Sequence, residues 1–345
     1  VNAPTTWRPR LADGTAPVLA VLAVLLVALA FAGPAYSEPT GYLALLKRAA
    51  PLVILAIGQY FVIVSGGFDL SVGSLVTAEV VIAARLIDGQ ESATIWVIPL
   101  LLGFGVLVGL VNGLITTKLM VPSFIVTLGM LLVLDGAVFL WTGGAPRGAL
   151  SPSFRVFGRG GIDLPVLGHL PWSVVILLVV LVAAAYFMRS GTGRTLVAVG
   201  DNQDAVRLAG GRVVRLKVLA FVLSGLLAAL AAILLGGFAG VSAQVGEGLE
   251  FRAITAVVLG GVLLGGGRGS VVAAAAGALT LEALFSLLNL LGVSGALESA
   301  VQGVIIIAAV AYASLGANLR LGFRSRTATA ESTSSTTSPP HKEIR

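Results

Sequence analysis

The chain has 345 residues, 57% of them hydrophobic and only 11% charged, against about a quarter charged in a soluble domain. With no cysteine and two histidines, His169 and His341, a disulfide framework, a thiol nucleophile and a zinc cluster are excluded, and no metal site is expected. The formal charge of +6 is scattered between long apolar runs, which points away from nucleic acid and toward the topology of a chain embedded in a lipid bilayer.

The runs at 18–33, 96–117, 172–188, 218–240 and 299–315 hold few or no charges. Several approach the roughly 20 residues that cross a bilayer core of about 30 Å. Their hydrophobicity is continuous rather than alternating, so helices are expected instead of barrel strands. The fold class is therefore an all-α polytopic membrane protein with about ten transmembrane helices and glycine-rich broken segments. The spans fall at 17–36, 49–65, 74–87, 94–117, 122–142, 172–189, 218–237, 253–265, 270–291 and 297–316. Residues 1–16 read as a cytoplasmic head, 17–316 as the transmembrane domain and 317–345 as a disordered cytoplasmic tail without apolar anchors. A cleaved leader is the other reading of the first run, but no clear A-x-A site follows it.

With both termini inside, most of the 22 lysines and arginines lie on the cytoplasmic side, as the positive-inside rule requires. Lys47 and Arg48 fall on the wrong side. Two loops stand out: an external one at 143–171, rich in glycine and proline and suited to a lid or docking surface, and a cytoplasmic one at 190–217.

Residues 65–74, SGGFDLSVGS, place an aspartate in a glycine- and serine-rich break between apolar runs. Gly66, Gly67 and Gly73 permit a sharp turn, and Asp69, Ser71 and Ser74 can satisfy freed backbone N–H groups where the next helix starts. Non-helical backbone at membrane depth persists only where protein or a wet cavity surrounds it. Capping a broken helix is the leading role for Asp69; direct contact with a solute is the second. Charges inside spans cost about 2.5–3.5 kcal/mol at a helix centre, so Glu79, Asp135 and Glu282 are candidate pathway residues. The amides of Gln59, Asn112, Asn289 and Gln302 join them, although amides also serve as interhelical glue. Phe68, Phe124 and Trp141 could stack on a ligand or anchor the interface.

In the cytoplasmic loop, GDNQDAVRLAGG reads as a short stiff helix. Asp201 or Asn202 caps it, Asp204 complements its dipole, and Gly210 and Gly211 end it. Such a helix either does no more than fix topology or works as a docking peg for a cytosolic partner. Further on, Gly225, Ala228, Ala229, Ala232 and Gly236 recur at helical spacing, a packing stripe that lets backbones approach closely. GGGRGS at 265–270 lacks the lysine of a phosphate-binding loop and reads as a second membrane break.

Six ordered segments carry a resemblance: SGGFDLSVGS (65–74), NGLITTKLMVPSFIVTLGM (112–130), VGDNQDAVRLAG (199–210), LSGLLAALAAILL (223–235), AITAVVLGGVLLGGGRGSVV (253–272) and LNLLGVS (288–294). Over roughly 49–316 the chain resembles the permease subunits of ribose/xylose-type ATP-binding-cassette importers. The resemblance implies a bacterial plasma-membrane permease of type II-like fold, with no catalytic residue or cofactor of its own. It implies three kinds of partner: a cytosolic ATPase, an extracytoplasmic sugar-binding protein, and a second copy or paralogue of the permease. Matched by position, coupling to the ATPase falls on 204–210, with Asp204, Ala205, Arg207, Leu208 and Gly210 as its residues. Glu79, Asp135 and Gly211 depart from the family pattern. The alternative is an ion-coupled secondary transporter that uses the intramembrane carboxylates; it should show breaks entering from opposite sides, whereas both expected breaks lie on the cytoplasmic side.

Overall fold

The computed structural model describes residues 12–165, 168–293, 295, 297–305 and 307–308. In chain order come α1 (Ala12–Ala32), α2 (Pro39–Val64), α3 (Val72–Ile87), α4 (Thr94–Lys118), α5 (Ser123–Thr142) and α6 (Pro152–Arg159). A hairpin follows, β1 (Gly161–Leu164) and β2 (Gly168–Pro171). The remaining helices are α7 (Trp172–Arg189), α8 (Gly191–Asp201), α9 (Gln203–Leu208), α10 (Val213–Ala239), α11 (Leu249–Leu259) and α12 (Val271–Leu290).

Among the described residues seven helices are long and apolar enough to cross a membrane: α1, α2, α4, α5, α7, α10 and α12. Helix α3 has 16 residues and α11 has 11, about 24 and 16 Å at 1.5 Å per residue, which is short of a crossing. The count of ten spans is therefore approximate. The spans expected at 74–87 and 253–265 are half-helices, and the one at 297–316 lies partly outside the described residues.

Helix α10 is the central post, packed against α2, α3 and α4. Its contact with α4 is backbone on backbone. A Cβ on Gly105 or Gly109 of α4 would overlap the carbonyl oxygens of Gly225 or Phe221 of α10, and one on Gly225 would overlap that of Gly105. Small residues four apart on both helices allow this approach. At one end of the bundle, α6 is started by Ser151, whose hydroxyl accepts from the Phe154 amide at 3.2 Å, with Pro152 in the first turn. The antiparallel hairpin, paired from Gly161↔Pro171 to Leu164↔Gly168, covers the same end. The loop expected at 143–171 is thus a folded cap.

Lys47 and Arg48 also find their explanation at the hairpin end. Lys47 donates to the Arg159 carbonyl at 3.3 Å and sits over the Phe238 ring. Arg48 donates to the Tyr36 hydroxyl at 3.0 Å and to Ser286 Oγ at 3.3 Å. These cations tie elements together, so their position is set by packing and not by topology. Helix α2 starts earlier than expected because Pro39 is preorganised for its first turn.

Candidate functional site

At the opposite end, hereafter the break end, α2 stops at Val64 and the chain turns back into the bundle before α3 begins. Asp69, 1% exposed, lies within the turn. Its Oδ1 accepts from the Ser71 amide (3.1 Å) and the Ser71 hydroxyl (2.6 Å), and its Oδ2 accepts from Ser224 Oγ of α10 (2.8 Å). Asn112 of α4 donates to Ser71 Oγ at 2.9 Å. In the amide orientation that satisfies both groups, Gln59 of α2 donates to the Asp69 carbonyl (3.1 Å) and accepts from its amide (3.2 Å). Phe68, half-buried, donates its amide to Ser123 Oγ at 3.0 Å, which joins α5 to the same turn. The Asp69 carboxylate thus ties the start of α3 to α10, its main chain is held by Gln59 of α2, and Asn112 of α4 joins through Ser71. All of these contacts lie more than one turn inside α2, α4 and α10. Ser71, the residue before α3, is thereby fixed at the point where the helix starts. Ser74 donates to the Ser71 carbonyl at 3.3 Å within the first turn of α3.

A second re-entrant segment comes in from the hairpin end. Between the spans expected at 218–237 and 253–265, residues 240–248 fold back into the bundle. The Gly246 amide donates to Thr77 Oγ1 at 3.0 Å, and a Cβ on Gly246 would overlap the Gly73 carbonyl. Glu250, in the first turn of α11, occupies the space that a side chain on Gly73 would need. The half-helices α3 and α11 therefore start side by side and run to opposite ends, with their positive dipole ends converging. The missed signal is GFAGVSAQVGEG (237–248), a glycine-, serine- and acid-containing stretch before a short apolar run, of the same type as 65–74.

The remaining polar residues are dispersed. Asp135 is exposed on α5, a helix with one buried stripe of Val126, Thr127, Leu134 and Val138, and it lies within electrostatic reach of Glu247 in the re-entrant segment. Phe124 and Trp141 are exposed on the same helix. Glu282 of α12 is half-buried between Arg48 and Arg252, and Arg252 pairs with Glu298 at 3.8 Å. Asn289 is exposed at the far end of α12, and no hydrogen bond among the described residues joins it or Gln302 to the Asp69 cluster.

Glu79 is wholly buried beside Gly105, and neither of its carboxyl oxygens has a hydrogen-bond donor among the described residues. An unsatisfied buried polar group costs roughly 1–3 kcal/mol. Glu79→Met, close in volume and apolar, is expected to raise the melting temperature of the purified protein. A lower melting temperature would show that the carboxyl group contributes to stability after all.

The loop after α7 holds two helices where one was expected. Ser190 starts α8 by accepting from the Gly193 amide at 3.2 Å. Asn202 starts α9 by accepting from the amides of Asp204 (3.1 Å) and Ala205 (3.0 Å). Asp204 and Arg207 pair at 3.0 Å along its surface. The helix closes with the Gly210 amide donating to the Arg207 carbonyl (3.0 Å) and the Gly211 amide to that of Val206 (2.8 Å), with Gly210 at φ +79°. No residue of α9 is buried, and Leu208 is 90% exposed.

Residues 41–310 match the family described as branched-chain amino acid transport system / permease component. The chain is 37% identical over 295 residues to the ribose import permease protein of Escherichia coli (strain K12), a match that covers 85% of this chain and 91% of that protein. It is 35% identical over 307 residues to the L-arabinose transport system permease protein of the same strain, covering 86% and 89%. Against the autoinducer 2 import system permease protein of Enterobacter sp. (strain 638) the identity is 34% over 292 residues, covering 84% and 83%. No solved structure matches this chain.

Proposed function

Because this chain belongs to the branched-chain amino acid transport system permease family, we propose that it is the membrane-spanning subunit of an ATP-driven importer whose cargo is a monosaccharide. The ribose, L-arabinose and autoinducer 2 systems named for its relatives favour sugar-like cargo over amino acids. Its partners are a cytosolic ATP-binding-cassette ATPase, an extracytoplasmic sugar-binding protein and a second copy or paralogue of the permease. The chain lies in the bacterial plasma membrane with its break end and both termini cytoplasmic, an orientation supported by the placement of most lysines and arginines. Head 1–16, permease domain 17–316 and tail 317–345 remain the domain reading.

The observation that carries this reading is α9. Most exposed leucines of such a protein face lipid, but Leu208 stands on a helix flanked by Arg194, Arg207 and Arg212. Neither hydrocarbon nor the chain's own core covers it. A capped helix with an uncovered leucine and a surface ion pair is built to enter a groove in another protein. Asp204, Ala205, Arg207, Leu208 and Gly210 form that docking peg. Movement of the ATPase then shifts the half-helices and opens the passage to alternate sides. The passage is assigned to the space between α5, α3 and the re-entrant segment, where Asp135 and Glu247 can accept hydrogen bonds from sugar hydroxyls. Gln59, Asp69 and Asn112 hold its wall in place.

The second re-entrant segment supplies the opposed pair of breaks expected of an ion-coupled carrier. Family membership nevertheless disfavours that alternative, because the named relatives are import-system permeases.

Arg207→Glu tests the peg. It breaks the pair with Asp204, places two like charges three residues apart, and reverses the charge offered to the partner. The expected result in proteoliposomes is normal membrane insertion with ATP-driven ribose uptake lost. Uptake at the parent rate would remove the docking assignment.

A further inference from the structure

The root of α9 meets both cytoplasmic-end breaks in a joint made mainly of main chain and glycine. The Gly267 amide donates to the Val64 carbonyl at 2.9 Å, which binds the 260–270 break to the last turn of α2. A Cβ on Gly266 would stand 2.9 Å from the Gly66 amide nitrogen and 3.0 Å from Gly200 Cα. One on Gly200 would overlap the Val64 carbonyl, and one on Gly267 would lie 2.5 Å from Asp201 Cα. Three segments distant in sequence therefore touch backbone to backbone: the end of α2, the end of α8 and the turn before α12. The next residue after Asp201 is Asn202, which caps α9.

We infer that Gly66, Gly200, Gly266 and Gly267 are positioning residues for transport, locking the root of α9 to both breaks so that the peg, the end of α2 and the start of α12 move as one body. Contacts made by side chains absorb a small displacement by changing rotamer. Contacts between main chains have no such slack, and close-packed interiors transmit strain. A displacement of α9 therefore reaches α3 through the 65–71 turn and α12 through the 260–270 turn together. This inference rests on the reading of α9 as the docking helix.

Two measurements on the assembly of this chain with its ATPase and binding protein test it. The native chain has no cysteine, so spin labels can be placed at will. Thr192→Cys on α8 and Arg268→Cys in the break are both exposed. The distance between these labels is expected to stay fixed on ATP binding, while the distance from Thr192→Cys to Leu140→Cys on α5 shifts. A shift between the α8 and break labels overturns the joint. In proteoliposomes, Gly200→Ala is expected to retain ATP hydrolysis and lose ribose uptake, whereas Gly103→Ala, where an added Cβ meets open space, leaves both unchanged. A Gly200→Ala assembly that moves as much ribose per ATP as the parent overturns the joint as well. Should the parent itself take up ribose without ATP, the importer reading fails, and the label distances still decide whether the joint is rigid.

Discussion

Asp69→Ala is expected to cost roughly 3–5 kcal/mol of stability and to deplete the protein from the membrane. The carboxylate accepts from the Ser71 amide, the Ser71 hydroxyl and Ser224 Oγ. Removing it strands these buried donors, at about 1–3 kcal/mol for each group left unpaired. The anchor between the break and α10 goes with it. Asp69→Asn separates shape from charge. Its remaining oxygen can serve Ser71, and its amide can donate to Ser224 Oγ, because a hydroxyl accepts as readily as it donates. The expected loss is then about 1 kcal/mol, read from thermal unfolding of the purified protein. If Asn destabilises as much as Ala, the charge itself is what the bundle needs. If Asn folds like the parent but does not support uptake, Asp69 acts on the solute and not only on the helix.

The second large effect is expected at the contact of α4 with α10. Gly225 leaves no room for a side chain, since a Cβ there would overlap the Gly105 carbonyl. Overpacking a close-packed interior typically costs about 1–3 kcal/mol. Gly225→Leu pushes against backbone on both sides and is expected at or beyond the top of that range, at about 3 kcal/mol or more. It also moves Ser224 relative to Asp69, so the break should loosen at the same time. Trypsin cleavage after Lys118, at the end of α4, should rise in the variant. Gly225→Leu with parental stability and cleavage would show that α4 and α10 are held apart by other contacts.

The parts of this architecture legible in the sequence are those where a residue has one affordable environment. An aspartate between apolar runs cannot face lipid, so the 65–74 break and the burial of Asp69 within it could be read directly. The asparagine and paired glycines around α9 left little choice of helix ends, and the structure starts that helix at Gln203 within a residue of expectation. Depth and direction were not legible. Hydropathy reports how apolar a segment is but not whether it crosses or turns back, so 240–248 resembled an ordinary connection and α11 an ordinary span. Partners distant in sequence were hidden for the same reason. Ser224 is one serine in an apolar helix until the fold brings it to Asp69, and Glu282 stands among apolar residues until Arg48 and Arg252 arrive. Among the described residues Glu79 remains without a donor, and the structure offers no account of why a carboxyl group stands there.

Uptake of labelled ribose into liposomes tests the central claim most directly, that this chain provides a passage and no driving force. The purified chain alone, given a proton or sodium gradient, is expected to accumulate nothing. With the ATPase, the binding protein and ATP on the side of α9, accumulation should appear and should persist when the gradients are collapsed. Concentration of ribose by the chain alone, or loss of uptake on collapsing a gradient with ATP present, would contradict the account.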